Sequence, residues 1–365
     1  MVIVAGASSF LGKHITQALL DKNYCVIGSV RSEEQGEKLL NEFNNAKFSY
    51  EIVRDTEVKH AFDYVLDRHQ NVDKFIDAVG TIPLGVNYER QLIRRSAKGV
   101  IHILQSIRHH APNVFFHQEC SRERRTELQF VSQDPNFVVD ESSWNPDNVI
   151  AGKESPQAAY FYSKAVSEKE AWSFVDKQRT HFKRVTVLPA YTFGPQCFDV
   201  DVSDNLGDST EILHSIFDLK KNYTIPQIKG LFVDARDVAL AHVLALEKEE
   251  AIGKRLLLAS EEFTGEAIVG ILNQHYPALQ FPEATVEKIG LKFDNKNTVE
   301  NLRMESLIPL ETSIKDGFDQ YLKVKGIICY FFHMQKTLKI HEYYMENNHD
   351  IRWHRLYSFH FRVVL

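Results

Sequence analysis

The sequence is poor in cysteine and has no long apolar runs. Its 365 residues include only four cysteines, and no two of them stand in a Cys-x-x-Cys pair. Neither a zinc site nor a disulfide framework is therefore expected, and a reduced, cytoplasmic location fits best. No apolar run approaches the roughly 18 residues of a transmembrane helix. The opening stretch MVIVAG is short and lacks a basic lead-in, so we expect no signal peptide.

The chain also lacks an excess of charge of one sign. Lys and Arg number 43 against 49 Asp and Glu, a net charge of −6. No electrostatic argument therefore favours a nucleic acid or an anionic membrane as a partner. A hydrophobic content of 44% and a charged content of 25% are typical of a globular protein, and the length suffices for one large domain or two ordinary ones. There are no internal repeats and no low-complexity segments.

The first thirty residues have the pattern of a strand, a helix and a second strand. The apolar run 2–6 predicts a buried parallel strand. Apolar residues at helical spacing over 10–24 predict a helix, and the run 25–30 predicts the next strand. The turn between the first two is GASSFLG, with glycines at Gly6 and Gly12. Bare backbone at such a turn is what a dinucleotide pyrophosphate requires.

The central glycine of the usual dinucleotide turn is replaced by Ser9. A strand–helix–strand unit that binds nothing is therefore an alternative. The Ser9 hydroxyl can, however, itself donate to a phosphate oxygen. We predict that this turn, including Phe10 and Leu11, binds the phosphates of a cofactor.

The end of the second strand indicates which cofactor binds. A carboxylate at this place would bind the ribose hydroxyls of NAD, whereas this chain has Arg31. A guanidinium suits a 2′-phosphate because its planar donors engage phosphate oxygens in pairs. NADPH is the predicted cofactor, and a solvated surface arginine is the alternative. The segment 51–55 resembles a third strand ending at Asp55, which is either an adenine-side contact or a helix cap.

Two tyrosines and a lysine lie together in the stretch AAYFYSKAVSEK. Tyr160 precedes Lys164 by four residues, which places both on one face of a helix. Tyr162 lies about 200° around that helix from Tyr160. The same spacing recurs at Tyr321 and Lys325, which we interpret as surface helix, so the spacing alone is not specific.

With these features placed, the chain resembles the extended short-chain dehydrogenase/reductase family. The resemblance is to its dihydroflavonol-reductase-like branch and to fungal NADPH-dependent methylglyoxal and aldehyde/ketone reductases, and it runs from residue 1 to about residue 326. The landmarks in chain order are GASSFLG, VRS (30–32), ESSWNP (141–146), YFYSK (160–164), LPAYTFGPQ (188–196) and VDARDVALAH (233–242).

The resemblance implies a Rossmann-type α/β fold, with a doubly wound parallel sheet, and hydride transfer from NADPH to a small aldehyde or ketone. It implies that Tyr160 is the acid that protonates the carbonyl oxygen. Lys164 would lower the phenol pKa and bind the nicotinamide ribose, and Pro189 would lie beside the cofactor. The family also uses a serine at the end of a strand upstream of ESSWNP. Ser121 is the best positional candidate for it, and Ser132 is the second.

The strand expected to carry that serine becomes polar and charged after Phe116. We therefore expect 117–131 to form an irregular surface excursion rather than a regular central strand. Lys98 and Leu188 also stand where the family has asparagine. A nucleotide-binding protein without turnover is one alternative, and an epimerase or dehydratase of the same fold is another.

The predicted organisation has three parts. A Rossmann domain comprises 1–190 plus 229–260, and a smaller substrate lobe comprises 191–228 plus 261–326. The tail, 327–365, is rich in aromatics and histidine and has no clear periodicity. It is either a helix-rich appendage or, as we favour, sequence that is not native to the fold. No metal is expected, since no histidine pair has a ligand spacing with partners. The expected partner is a small carbonyl substrate, and the expected state is a monomer or homodimer.

Overall fold

The predicted strand–helix–strand unit begins a parallel sheet. A computed structural model of the chain describes residues 1–80, 94–119, 137–144, 156–178, 182–202 and 208–327. The strands, in chain order, are β1 (Val2–Ala5), β2 (Val26–Val30), β3 (Phe48–Ile52), β4 (Lys74–Asp77), β5 (Phe115–Glu119), β6 (Val138–Val139), β7 (Arg184–Pro189), β8 (Tyr191–Phe193), β9 (Lys229–Asp234), β10 (Arg255–Leu258), β11 (Glu261–Thr264) and β12 (Lys292–Phe293). Seven of them form one sheet, in the order β10-β7-β5-β4-β1-β2-β3, and every pair in it is parallel.

Helices connect the parallel strands. In chain order they are α1 (Phe10–Asp21), α2 (Glu33–Phe43), α3 (Asp63–Arg68), α4 (Arg94–His110), α5 (Pro156–Gln178), α6 (Asp208–Phe217), α7 (Ala235–Glu247), α8 (Gly265–His275), α9 (Lys296–Leu302) and α10 (Leu310–Val324). Several begin at a side-chain cap. Ser32 accepts from Gln35 N at 3.3 Å at the start of α2, and Thr264 accepts from Ala267 N at 2.9 Å at the start of α8. Each cap satisfies an amide that the first turn leaves without a helical partner.

The side chains of β1 show why helices cover both faces of the sheet. Successive residues of a strand point to opposite faces. Ile3 and Ala5 pack into one core cluster with residues of α3, α4 and α5, whereas Val2 and Val4 pack into a second cluster with residues of α1, α2 and α7. All four are fully buried. The predicted doubly wound α/β fold is confirmed.

Two smaller sheets lie outside the main one. In the first, β9 is central, pairing with β8 in parallel and with β11 antiparallel. In the second, β6 pairs with β12. Three phenylalanines of the first sheet pack together, because Phe193 stacks on Phe232 at 5.8 Å and meets Phe263 edge-on at 4.9 Å between ring centroids.

The expectation for 117–131 is wrong for its first three residues. The strand continues through His117 and Gln118 to Glu119, in the middle of the main sheet between β4 and β7. Polar side chains are accommodated there because Gln118 is bonded to neighbouring buried groups, as described below. Residues 120–131, with Ser121, lie outside the described residues.

By its internal contacts the chain divides into the units Met1–Phe318 and Asp319–Leu365. The finer division into a Rossmann domain and a substrate lobe stays a prediction. In the second unit the structure describes only 319–327, where α10 ends before Gly326. Tyr321 is buried there rather than at the surface, so that expectation was wrong, while Lys325 is exposed.

Within the described ranges, none of the helices has the length and apolar character needed to cross a membrane. In the same ranges, no three His, Cys, Asp or Glu side chains come together as possible metal ligands.

Candidate active site

The glycine turn lies against the end of a neighbouring strand. Gly6 has a φ of +77°, and a Cβ on it would lie 2.9 Å from the carbonyl oxygen of Ala78. A Cβ on Gly12 would lie only 2.1 Å from the carbonyl oxygen of Gly6. Both glycines are therefore required by the backbone itself, which leaves the turn without side chains at these two points.

Ser9 caps the helix that follows the turn. Its side-chain oxygen accepts from Gly12 N at 3.0 Å, so it satisfies one amide of the first turn. The hydroxyl keeps its own hydrogen for donation, because accepting a bond uses only an oxygen lone pair. The amides of Phe10 and Leu11 stand at the same positive end of α1, the kind of site that binds phosphates.

Arg31 lies directly after β2 and is exposed. Its backbone amide donates to Gln35 Oε1 at 3.0 Å. The strand before it is tied to the glycine turn, because Gly6 N donates to the Ser29 hydroxyl at 3.2 Å. The fold thus places the arginine after the strand neighbouring the turn, with its guanidinium open to solvent.

Asp55 follows β3 and is engaged on both carboxylate oxygens. One accepts from Glu57 N at 2.9 Å, and the other lies 3.7 Å from the Arg95 guanidinium. Arg95 also forms an ion pair with Glu57. Burial raises the pKa of the Glu57 carboxyl, while Arg95 acts in the opposite direction. Sequence reasoning missed this pair, since its members lie on separate elements and match no motif.

Tyr160 and Lys164 lie on one face of α5, as their spacing predicts. The Lys164 ammonium is 5.9 Å from the centroid of the Tyr160 ring and donates to the carbonyl oxygen of Val79 at 3.3 Å. Lys164 is only 6% exposed. The side chains of Tyr160 and Tyr162 are both half-buried, so burial alone does not distinguish the two tyrosines.

The geometry of a tyrosine–lysine pair is not specific by itself. Lys325 lies 5.6 Å from the centroid of the Tyr321 ring, almost the same distance as in the first pair. What distinguishes Lys164 is its place on a cleft at the carboxyl ends of β4 and β5. Among the described residues, those that line this cleft are Thr56, Glu57, Asp77, Val79, Arg95, Ser96, Gly99, Val100, Ile103, Gln118, Lys164 and Ser167. Ligands of open parallel sheets bind at this edge.

The remaining predicted residues take simple positions. Pro189 ends β7, with Leu188 buried just before it. Lys98 is exposed on α4. Ser121 and Ser132 lie outside the described residues, so their relation to Tyr160 stays a prediction.

The ESSWNP landmark is held by an arginine of the main sheet. Arg255 donates to the carbonyl oxygens of Glu141, at 2.5 Å, and Ser143, at 3.2 Å. Its guanidinium carbon lies 3.6 Å from the centroid of the Trp144 ring, in a cation–π contact. This landmark therefore has a structural role in anchoring the segment.

Comparisons with known proteins agree with this geometry. Residues 2–259 match the model of the NAD dependent epimerase/dehydratase family. The chain belongs to this family. Among its members, the NADPH-dependent methylglyoxal reductase of Saccharomyces cerevisiae is 34% identical over 341 residues, which cover 90% of this chain and 99% of the relative.

Solved structures of family members superpose closely. The yeast methylglyoxal/isovaleraldehyde reductase complexed with NADPH gives a TM-score of 0.83 at 34% identity, covering 89% of this chain and 99% of its own. Gre2 from Candida albicans in complex with NADPH gives a TM-score of 0.83 at 35% identity. The match covers 88% of this chain and 98% of the Candida chain. The family resemblance inferred from the sequence is confirmed.

Proposed function

We propose that this chain is an NADPH-dependent carbonyl reductase that acts on small aldehydes or ketones. The similar family members described above are named as reductases of this kind. The observation that carries the proposal is the buried Lys164 ammonium beside Tyr160, on the cleft at the carboxyl ends of the parallel strands. A cation beside a phenol favours the phenolate and so assists proton donation.

The residues present fit a dinucleotide. A Cβ at Gly6 or Gly12 would collide with backbone, so the turn is kept bare where a pyrophosphate would approach. The amides at the start of α1 and the Ser9 hydroxyl would bind the phosphates, and Arg31 would pair with a 2′-phosphate. NADPH, when bound, supplies the hydride.

The reaction then needs one proton from the protein. The Tyr160 O–H donates it to the carbonyl oxygen as the carbonyl carbon becomes an alcohol carbon. The Lys164 ammonium stabilises the phenolate left behind and would also donate to a cofactor hydroxyl. Its hydrogen bond to Val79 fixes the ammonium at the cleft.

The experiment is a turnover assay of the full chain. Purified protein is mixed with NADPH and a panel of small carbonyls that includes methylglyoxal and isovaleraldehyde, and the loss of NADPH absorbance is followed. Consumption that requires both protein and carbonyl is expected. NADPH binding, seen as quenching of tryptophan fluorescence, without consumption on any carbonyl would instead indicate a nucleotide-binding protein without turnover.

We also propose that the enzyme works in the cytoplasm as a monomer or homodimer and without nucleic acid. The cysteine usage and the net charge of −6 support this. Light scattering of the purified chain measures its mass, and a tetramer or larger assembly would contradict the proposal.

A further inference from the structure

A glutamine lies in the centre of the main sheet, on the cleft that holds Lys164. Gln118 belongs to β5, is only 1% exposed, and lines the same cleft as Lys164 and Ser167. A primary amide at this depth is costly unless its oxygen and its nitrogen find partners.

Both ends of the Gln118 amide are engaged. Its oxygen accepts from Arg184 Nη2 at 2.7 Å, and its nitrogen donates to the Ser167 hydroxyl at 2.9 Å. A guanidinium has donors only, so the amide oxygen must face Arg184. The amide nitrogen is therefore directed to Ser167, and the orientation of the amide is determined.

Arg184 is itself held in place. It is buried on β7, and its guanidinium carbon lies 4.0 Å from the centroid of the Trp172 ring. The same guanidinium nitrogen that meets Gln118 also donates to the Thr186 hydroxyl at 3.1 Å. Trp172 belongs to α5, so Arg184 contacts this helix directly as well as supporting Gln118 on β5.

In the helix that carries Tyr160 and Lys164, the large side chains of Trp172, Phe174 and Val175 pack beyond Ala171, toward the C-terminal end. Four buried positions along its inner face, each four residues after the last, hold small residues: Ala159, Ser163, Ser167 and Ala171. Small side chains allow close approach but do little to prevent a helix from turning about its axis. Between Ala159 and Ala171, polar contacts therefore set the rotation of the helix. They are the bond of Ser167 with Gln118 and the ion pair of Glu168 with Arg255.

A small rotation matters at the cleft. A turn of about 20° would move an atom about 6 Å from the helix axis by about 2 Å. That displacement would break the hydrogen bond of 3.3 Å from Lys164 to Val79. Ser167 lies three residues after Lys164, almost one helical turn, so a constraint on Ser167 is a constraint on Lys164.

We propose that Gln118 is a positioning residue, which through Ser167 holds α5 in the rotation that places the Lys164 ammonium at the cleft and beside Tyr160. The inference rests on the proposed reductase function. It assigns to a residue near the carboxyl end of β5 a role that is exerted through the helix of Tyr160 and Lys164.

The test compares three single variants of the full chain with the double variant at Gln118 and Ser167 and with Lys164→Met. Gln118→Met keeps the length of the side chain without the amide, and Ser167→Ala removes the hydroxyl that the amide meets. Thr186→Val is the matched control, since it removes a different acceptor of Arg184 and leaves the bond from Gln118 to Ser167 in place. Turnover is measured against pH, and the Kd for NADPH is measured by fluorescence quenching.

Gln118→Met and Ser167→Ala should give the same pattern. Turnover should fall by about 10²-fold, the cost of a displacement of an ångström or so at a reacting group. The alkaline limb of the pH profile should move upward by about one pH unit, because the phenol loses its neighbouring cation. The double variant should lose no more than Gln118→Met alone, since one residue acts through the other. Thr186→Val should leave the pH profile and the NADPH Kd unchanged.

Lower turnover in Gln118→Met with an unchanged pH profile and NADPH Kd would overturn the proposal, because a purely structural residue gives that result. If Gln118→Met does not fold, the same measurements on Ser167→Ala decide. If the wild-type chain binds NADPH but reduces no carbonyl, the proposed reductase function is refuted. The Kd of Gln118→Met for NADPH then still tests the positioning role of Gln118. A Kd raised about tenfold in Gln118→Met, as in Lys164→Met, would support the positioning role, and an unchanged Kd would refute it.

Discussion

The Lys164 ammonium lies 5.9 Å from the centroid of the Tyr160 ring and is bonded to the Val79 carbonyl. This arrangement gives Tyr160 the neighbouring cation that its proposed role as proton donor requires. Tyr160→Phe keeps the ring and removes the proton, so folding and NADPH binding should survive. Turnover should fall by about 10²–10⁴-fold, the usual contribution of one general acid.

The neighbouring tyrosine provides the control for that experiment. Tyr162→Phe should change turnover little, because Tyr162 lies on another side of the helix. Lys164→Met should lower turnover and also weaken NADPH binding, since the ammonium serves both. Equal losses of turnover in the two tyrosine variants would refute the assignment of Tyr160.

Arg31 should determine the choice between the two nicotinamide cofactors. Arg31→Asp should erode or reverse a preference for NADPH over NADH, because a carboxylate repels the 2′-phosphate and accepts from ribose hydroxyls. A charge-assisted contact is worth about 1.5–3 kcal/mol, so the ratio of the two dissociation constants should change by about tenfold or more. Arg303→Asp, at an exposed arginine on a different element, should leave the ratio unchanged. An unaltered ratio in Arg31→Asp would show that Arg31 is a solvated surface residue.

Gly12 should tolerate no side chain. In Gly12→Ala the new Cβ would lie 2.1 Å from the carbonyl oxygen of Gly6, so the turn must shift. We expect a loss of about 1–3 kcal/mol of stability and a large loss of NADPH affinity. Gly253→Ala is the control, because it strains a positive φ where nothing lies within 4 Å of the new Cβ. It should lower stability without changing NADPH affinity. An unaffected NADPH Kd in Gly12→Ala would contradict the role of the turn.

The tail should be dispensable. If 327–365 is not native to the fold, a chain ending at residue 326 should bind NADPH normally, with a Tm changed by less than about 2 °C. A chain ending at residue 309 is the control. It lacks Leu310, Ile314 and Phe318, all buried in the first unit, and should be strongly destabilised. A large drop in the Tm of the longer chain would show that the tail packs into a core.

Stability should fall as the pH is lowered, because of buried neutral histidines. The pKa of His242 is lowered to about 3 by burial, and that of His117 is also well below its usual value through burial, His242 and Lys74. Their rings lie 6.2 Å apart, and none of the four ring nitrogens has a hydrogen-bond partner among the residues the structure describes. The unfolded chain takes up these protons below a pH of about 6.5 and the folded chain does not.

Each of the two histidines should therefore lower the free energy of unfolding by about 1.4 kcal/mol per pH unit below a pH of about 6.5, down to its pKa in the folded state. Asp237 acts in the opposite sense, since burial raises its pKa to about 6 and the folded state then binds its proton more tightly. Comparison with a His117→Leu, His242→Leu variant separates these effects. The free energy of unfolding, measured with urea between pH 7 and pH 5, should change less with pH in the variant than in the wild type. Equal slopes would mean that the histidines do not matter.

Local pattern in the sequence accounts for much of the fold. Continuous apolar runs predicted β1 and β2 as buried parallel strands, and helical spacing predicted α1, because these signals come from neighbours along the chain. Boundaries were less well determined, since the predicted helix 10–24 ends at Asp21 and the predicted strand 51–55 is observed at Phe48–Ile52. Ends depend on caps and on pairing as well as on periodicity.

The strand after Val114 shows why pattern fails inside a sheet. Its polar residues predicted a surface excursion, yet His117 and Gln118 are buried in β5. Burial is possible for Gln118 because Arg184 and Ser167, 66 and 49 residues away along the chain, supply its partners. A sequence read alone contains no sign of such pairing.

The sequence by itself determined the first strand, helix and second strand, the turn without side chains at Gly6 and Gly12, and the common face of Tyr160 and Lys164, because each depends on residues a few positions apart. Only the tertiary structure decided which tyrosine–lysine pair meets a cleft, and that Glu57 pairs with Arg95 at its edge. It also decided that a buried glutamine supports the helix of Tyr160. These features join elements distant in sequence, and the packing of the parallel sheet alone brings them within hydrogen-bonding distance.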